Sequence, residues 1–159
     1  MQQLVSMEGK CVVVTGAAQG IGKALTELVI EQGGTVVAVD RNADQLKATA
    51  AALPADRVLP LVGSVTDEDF AAEAVRQGVA RFGAIQGLVN NAGIIRPAMI
   101  EKMNLTQWRE VIDVHLTGSF IWLHRPSPPR HSRRPTPAPA ADSRTPSADW
   151  RIARRVRGG

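Results

Sequence analysis

Apolar residues along this chain fall into short β-branched runs separated by longer stretches of helical spacing. Cys11-Val12-Val13-Val14 is one such run and reads as a buried parallel strand. Ile21, Leu25 and Leu28 then recur at helical intervals, and Gly33-Gly34 closes that helix where a left-handed residue is wanted. Thr35-Val36-Val37-Ala38-Val39 predicts a second strand. Asn42, with Gln45 three residues on, predicts the cap of a helix carrying Leu46, Ala50 and Leu53, which Pro54 ends. A third strand, Val58-Leu59-Pro60-Leu61-Val62, contains a proline and is therefore expected at a sheet edge. Thr66 and Asp69 predict a capping box for a helix reaching about Phe82, with Phe70, Ala74, Val75 and Val79 inward. Ile85 to Val89 predicts the fourth strand. The last helix is expected from near Thr106, with Trp108, Val111, Ile112, His115, Leu116, Ser119, Phe120 and Leu123 on one stripe.

Strands and helices alternating in this way predict an α/β fold: a parallel sheet of order 3-2-1-4, right-handed crossovers and helices on both faces. In such a sheet a ligand site is expected at the C-terminal strand ends, between strands 1 and 4, where the winding reverses.

That is where the glycines fall. Thr15-Gly16-Ala17-Ala18-Gln19-Gly20-Ile21-Gly22 lies between the first strand and its helix. A helix N-terminus there presents unpaired N–H groups and the positive end of its dipole, so a pyrophosphate needs no basic side chain. A glycine triplet alone is equally an ordinary tight turn. Asp40 adds weight, because it ends the second strand 18 positions after Gly22, close to the roughly 20 expected of a ribose-binding acid. Its carboxylate would repel a 2′-phosphate and Gln19 brings no positive charge, so NAD is favoured over NADP. Arg41 argues the other way, since it can turn toward a phosphate; it can equally be a solvated surface charge.

Charge separates the chain into two parts. Residues 1–124 hold ten Lys and Arg against thirteen acids, whereas residues 125–159 hold nine Arg and two Asp. The sequence pI near 10 therefore comes from the second part alone. Seven of the ten prolines also fall there, a composition expected to be disordered. Three readings of 125–159 compete: an out-of-frame translation of a GC-rich gene, a basic arm for nucleic acid or an acidic membrane, and an inert tail. The abrupt change in mid-helix favours the first, and Trp150 stands alone where base stacking would want spaced aromatics. Neither nucleic acid nor membrane is favoured as a partner. The opening residues lack a signal-peptide core and no run approaches a membrane span, so a cytoplasmic location is expected. Cys11, the only cysteine, is expected to be packing.

With Thr-Gly-x-x-x-Gly-Ile-Gly at 15–22, Asp40, and Asn90-Asn91-Ala92-Gly93 after the fourth strand, residues 6–124 resemble the short-chain dehydrogenase/reductase family, near its 3-oxoacyl-carrier-protein reductases and alcohol, sugar and hydroxysteroid dehydrogenases. The resemblance implies a Rossmann-like fold, dinucleotide cofactor, hydride transfer between a small alcohol and a ketone, and homo-oligomers. It places Gly16, Gln19, Gly20, Ile21 and Gly22 along the pyrophosphate and adenosine, Asp40 and Arg41 at the ribose, and Asn91, Ala92 and Gly93 at the middle of the cofactor.

The chain departs from the family in three places. Ser64-Val65 stands where the family often has Asp-Val near the adenine. His115 occupies the slot of an asparagine that supports a proton relay; histidine can itself relay a proton, and it can equally be a packed helix residue. The family's catalytic serine and Tyr-x-x-x-Lys have no counterpart, since the chain contains no tyrosine and its last lysine is Lys102. An incomplete, inactive and marginally stable domain over 1–124 is therefore expected, and the implied assembly is not expected to form.

Overall fold

The computed structural model describes residues 6–124, and the expectations for 125–159 lie outside the described residues. Four parallel strands, β1 (Cys11–Thr15), β2 (Thr35–Asp40), β3 (Val58–Val62) and β4 (Gly87–Val89), form one sheet in the order β3-β2-β1-β4. The predicted order is borne out. Pro60 sits opposite Ala38 on β3, which pairs with β2 alone, so its missing N–H leaves no ladder position unfilled. β4 is shorter than expected and pairs with β1 over only three residues.

The helices between strands are α1 (Gly20–Glu31), α2 (Ala43–Ala51) and α3 (Glu68–Phe82). After β4 comes a short 3-10 turn, Ile100–Lys102. The last helix follows as α4 (Leu105–Ile112), a π-helical turn (Asp113–Thr117) and α5 (Gly118–His124). Alternate residues of β1 and β2 feed two separate cores. Val12, Val14, Val36 and Ala38 pack with Ile30 of α1 and Leu46 of α2 on one face. Cys11, Val13, Val37 and Val39 pack with Ala71 and Ala74 of α3 and with Ile121 and Trp122 of α5 on the other. Helices thus cover both faces, and the central strands are buried on both, as their continuous valine runs require.

The faces of α1 and the last helix differ from expectation, and that of α3 in part, since Ala74 and Phe70 lie on the core as expected. α1 buries Gly22, Thr26 and Ile30, while Ile21 and Leu28 are exposed. α3 buries Ala71, Ala74 and Gly78. The last helix buries Gly118, Ile121 and Trp122, while Trp108, Leu116, Phe120 and Leu123 are exposed. Small residues let helix backbones approach their neighbours closely: a Cβ on Gly78 would lie 2.7 Å from Val37 Cγ2 on β2, and one on Gly118 3.0 Å from Val65 Cγ2 in the loop after β3. Steric room for small residues shapes the buried stripes here, alongside the bulky Ile30, Ile121 and Trp122 that those stripes also bury.

Caps were partly foreseen. Asn42 caps α2 by accepting from the Gln45 N–H. α3 is capped by Asp67, which accepts from the Phe70 N–H, so Thr66 and Asp69 do not form the expected box. Asn104 and Gln107 form a reciprocal capping box that starts α4 at Leu105.

Candidate functional site

Two loops leave the C-terminal ends of β1 and β4 side by side, and their hydrogen bonds to each other build the floor of the site. Thr15, fully buried at the end of β1, donates from Oγ1 to Val89 O and accepts from the N–H groups of Asn91 and Ala92, each at 3.1 Å. Asn91 returns the tie, donating from Nδ2 to Thr15 O (3.0 Å) and Gly16 O (3.2 Å). Gly16 has φ +69, and a Cβ on Gly22 would stand 2.0 Å from Gly16 O. The last glycine of the loop thus serves close packing of α1 under the turn. It is buried and is the one sequence-predicted cofactor residue that does not line the cleft.

Above this floor lies a cleft of about 430 Å³ at the reversal of the sheet's winding. Gly16, Gln19, Gly20 and Ile21 line it from the β1–α1 turn, Asp40 and Arg41 from the end of β2, Ser64 and Val65 from the end of β3, and Asn91, Ala92 and Gly93 from the exit of β4. These residues are dispersed over 78 positions of sequence and meet at one surface. Asn42, Gln45, Gly63, Ile94 and Val114 also line it and were not expected there from the sequence, Asn42 and Gln45 having been read only as a helix cap. The Asn42–Gln45 cap signal could have found two of them, because a helix capped directly after Asp40 must start beside the same cleft.

The chemistry of the lining suits an elongated anionic ligand at one end and a hydroxylated one at the other. Gln19 offers no side-chain cap to α1, and no acid stands in its first turn, so the dipole's positive end and the first N–H groups face the cleft uncompensated. A Cβ on Gly20 would meet nothing within 4 Å, which leaves the loop surface bare. Asp40 is held rigidly: Oδ2 accepts from the Ala18 N–H (3.0 Å) and Oδ1 from the Asn42 N–H (2.9 Å). Each oxygen retains further lone-pair capacity for a ligand hydroxyl. Ala18 is fixed from the opposite side too, since the buried Thr49 hydroxyl donates to its carbonyl. Ser64 Oγ is hydrogen-bonded to Thr66 Oγ1 at 2.8 Å.

His115 lies on the π-helical turn, and its Nε2 is 3.1 Å from Ile94 N and 2.9 Å from Ile94 O. It packs against the exit of β4. Cys11 lies away from the cleft at the start of β1, and burial pushes its thiol up. Among the described residues no cluster of His, Cys, Asp or Glu could hold a metal ion, and no helix is long and apolar enough to cross a membrane.

A parallel 3-2-1-4 sheet with its cleft at the winding reversal is a Rossmann-like arrangement. A family model described as short chain dehydrogenase matches residues 10–129, and the chain belongs to the short-chain dehydrogenase/reductase family. It is 46% identical over 117 residues to a 3-oxoacyl-[acyl-carrier-protein] reductase of Thermotoga maritima, covering 72% of this chain and 47% of the relative. An acetoacetyl-CoA reductase of Paracoccus denitrificans is 41% identical over 115 residues, with the same shares covered. Among solved structures, a glucose/ribitol-type short-chain dehydrogenase/reductase from Brucella melitensis superposes with a TM-score of 0.72 at 32% identity, over 74% of this chain and 49% of that one. A 3-ketoacyl-(acyl-carrier-protein) reductase from Brucella melitensis, solved with NADH, gives 0.71 at 28% identity, over 74% and 48%. The chain spans about half the length of the relatives it matches.

Proposed function

We propose that the cleft binds NAD, and that residues 1–124 are the nucleotide-binding domain of an oxidoreductase that interconverts a small alcohol and a ketone. The observation that carries this is the convergence of the uncapped α1 N-terminus with the Asp40 carboxylate on one cleft. Gly16, Gln19, Gly20 and Ile21 would hold the pyrophosphate against backbone N–H groups, with Gly22 setting the turn beneath. Asp40 would accept from the adenosine ribose hydroxyls, beside Arg41. Ser64 and Val65 would flank the adenine, and Asn91, Ala92 and Gly93 the middle of the cofactor. When bound, the nicotinamide supplies the hydride acceptor or donor of the family's reaction. The chain's own residues bind and orient it, and Asp40 disfavours a 2′-phosphate through charge repulsion, so NAD is preferred over NADP.

A second reading is favoured by a specific observation. The chain has no tyrosine and no lysine after Lys102, so no residue takes the proton-donor role of the family's Tyr-x-x-x-Lys. A positioned proton donor contributes roughly 10²–10⁴-fold. We therefore expect a dinucleotide-binding module without useful turnover as the chain stands, located in the cytoplasm with its ligand. Residues 125–159 would then add a basic segment and no catalytic group. Calorimetry of the full chain with NAD and with NADP tests the binding. Micromolar NAD binding with weaker NADP binding is expected; equal or tighter NADP binding overturns the Asp40 argument. Oxidation of NADH with a panel of ketones tests the rest, because turnover that depends on Asp40 would show that the chain is an active enzyme.

A further inference from the structure

Asp40, Asn42 and Gln45 all line the cleft, and they are linked in series. Asp40 Oδ1 accepts from the Asn42 N–H at 2.9 Å, Asn42 Oδ1 accepts from the Gln45 N–H at 3.1 Å, and Asn42 Nδ2 donates to Gln45 Oε1 at 3.0 Å. Each amide has its orientation fixed by the group before it. A backbone N–H can only donate, so the Asn42 atom that meets the Gln45 N–H is the oxygen. The other end of that amide is then a donor, and it requires the oxygen of Gln45. What remains of Gln45 is Nε2 with its two N–H groups, and among the described residues nothing accepts from it.

Asp40 and Gln45 therefore bring opposite chemistry to one cleft. The carboxylate only accepts, and its oxygens are held by the Ala18 and Asn42 N–H groups. The free end of the amide only donates. A hydroxyl satisfies both, since it donates one hydrogen and accepts through its lone pairs. A phosphate oxygen answers the donor and not the acceptor. Arg41 also lines the cleft, but among the described residues no hydrogen bond fixes its guanidinium, whereas Gln45, in the first turn of α2, is held at its oxygen by Asn42.

We infer that Gln45 is a specificity-determining residue of the cleft: Nε2 donates to the oxygen of an adenosine ribose hydroxyl whose hydrogen goes to Asp40. This rests on the reading of the cleft as an NAD site. Asn42 is the positioning residue that turns the amide. Gln45→Met keeps the length of the side chain and removes the donor. Gln45→Glu keeps an acceptor for Asn42 Nδ2 and replaces the donor with a second carboxylate on the same cleft.

The test is calorimetry of the full chain with NAD and with two NAD analogues, one lacking the 2′-hydroxyl and one the 3′-hydroxyl of the adenosine ribose. Gln45→Met is expected to bind NAD about threefold more weakly than the parent, as for one exposed neutral hydrogen bond. Gln45→Glu is expected to lose about tenfold, since a charge that repels Asp40 and cannot donate takes the place of the donor. With the analogue that lacks the hydroxyl Gln45 reads, parent and Gln45→Met are expected to bind equally. A merely structural role would weaken all three ligands alike, so equal losses with NAD and both analogues would overturn the inference, as would NAD affinity unchanged in Gln45→Met. If the parent chain binds no NAD, the nucleotide reading falls and takes this inference with it; if the parent binds and Gln45→Met binds as well, only this inference falls.

Discussion

Thr15 and Asn91 lock the ends of β1 and β4 together with five hydrogen bonds that involve one or other side chain. The hydroxyl of Thr15 is the centre of the lock, because it accepts from both the Asn91 and the Ala92 N–H groups. Thr15→Val keeps the volume and removes the acceptor. The partly buried Ala92 N–H then loses its partner, and the Asn91 N–H keeps only Val89 O, at a cost of about 1–3 kcal/mol. Urea unfolding should show a lower midpoint with an unchanged slope; an unchanged midpoint would mean that water replaces the hydroxyl freely.

Asp40 joins a ligand-facing carboxylate to two backbone ties, at Ala18 and Asn42. Asp40→Asn removes the charge and keeps one acceptor oxygen. NAD affinity is expected to fall about tenfold, as for one charge-assisted hydrogen bond, while discrimination against NADP narrows. Paired titrations with the two nucleotides measure both effects. Discrimination that persists in the asparagine variant would place its origin elsewhere.

The glycines of the β1–α1 turn are predicted to differ sharply in tolerance. A Cβ on Gly22 meets the backbone at Gly16 O, at 2.0 Å, and also Asn91 Nδ2 at 2.6 Å, so α1 must shift and the lock must open. Gly22→Ala is expected to cost about 2 kcal/mol or more. Gly20 has open space around it and only its φ of +55 to maintain, so Gly20→Ala is expected to cost about 1–2 kcal/mol. The ranking is read from urea midpoints, and a less stable Gly20→Ala would contradict it.

Cys11 is fully buried at the start of β1, and its thiol is raised from its ordinary range by that burial, against weaker opposing hydrogen bonds. The thiolate is the reactive form, so labelling by a disulfide reagent at pH 8 is expected to be slow in the native chain and fast in urea. Native labelling at the rate of a free thiol would show that β1 opens readily.

The valine runs of β1 and β2, the glycine turn after Thr15, Pro60 at a sheet edge and the Asn42 cap were legible in the sequence, because each is a local property of the chain. Strand period and burial on both faces determine a parallel sheet, and alternation of elements determines its order. Asp40 was legible by its spacing from the glycines, and the Asn91–Gly93 segment through its resemblance to the family's motif.

The face α2 buries, with Leu46, Ala50 and Leu53 on the core, was legible, whereas the faces of α1 and the last helix were decided only in three dimensions. α1 turns Gly22 and Thr26 inward and leaves Ile21 out, and the last helix leaves Phe120 and Leu123 exposed while burying Gly118, Ile121 and Trp122. Hydrophobic spacing does not register glycines such as Gly22 and Gly118, which close approach to neighbouring backbone or side chains selects for. The contacts that shape the cleft are also tertiary. Thr15 meets Asn91 across 76 positions, Asp40 meets Ala18 across 22, and His115 meets Ile94 across 21. No local pattern encodes a bond between a side chain and a distant backbone group, since its geometry exists only once the sheet has brought β1, β2 and β4 into register.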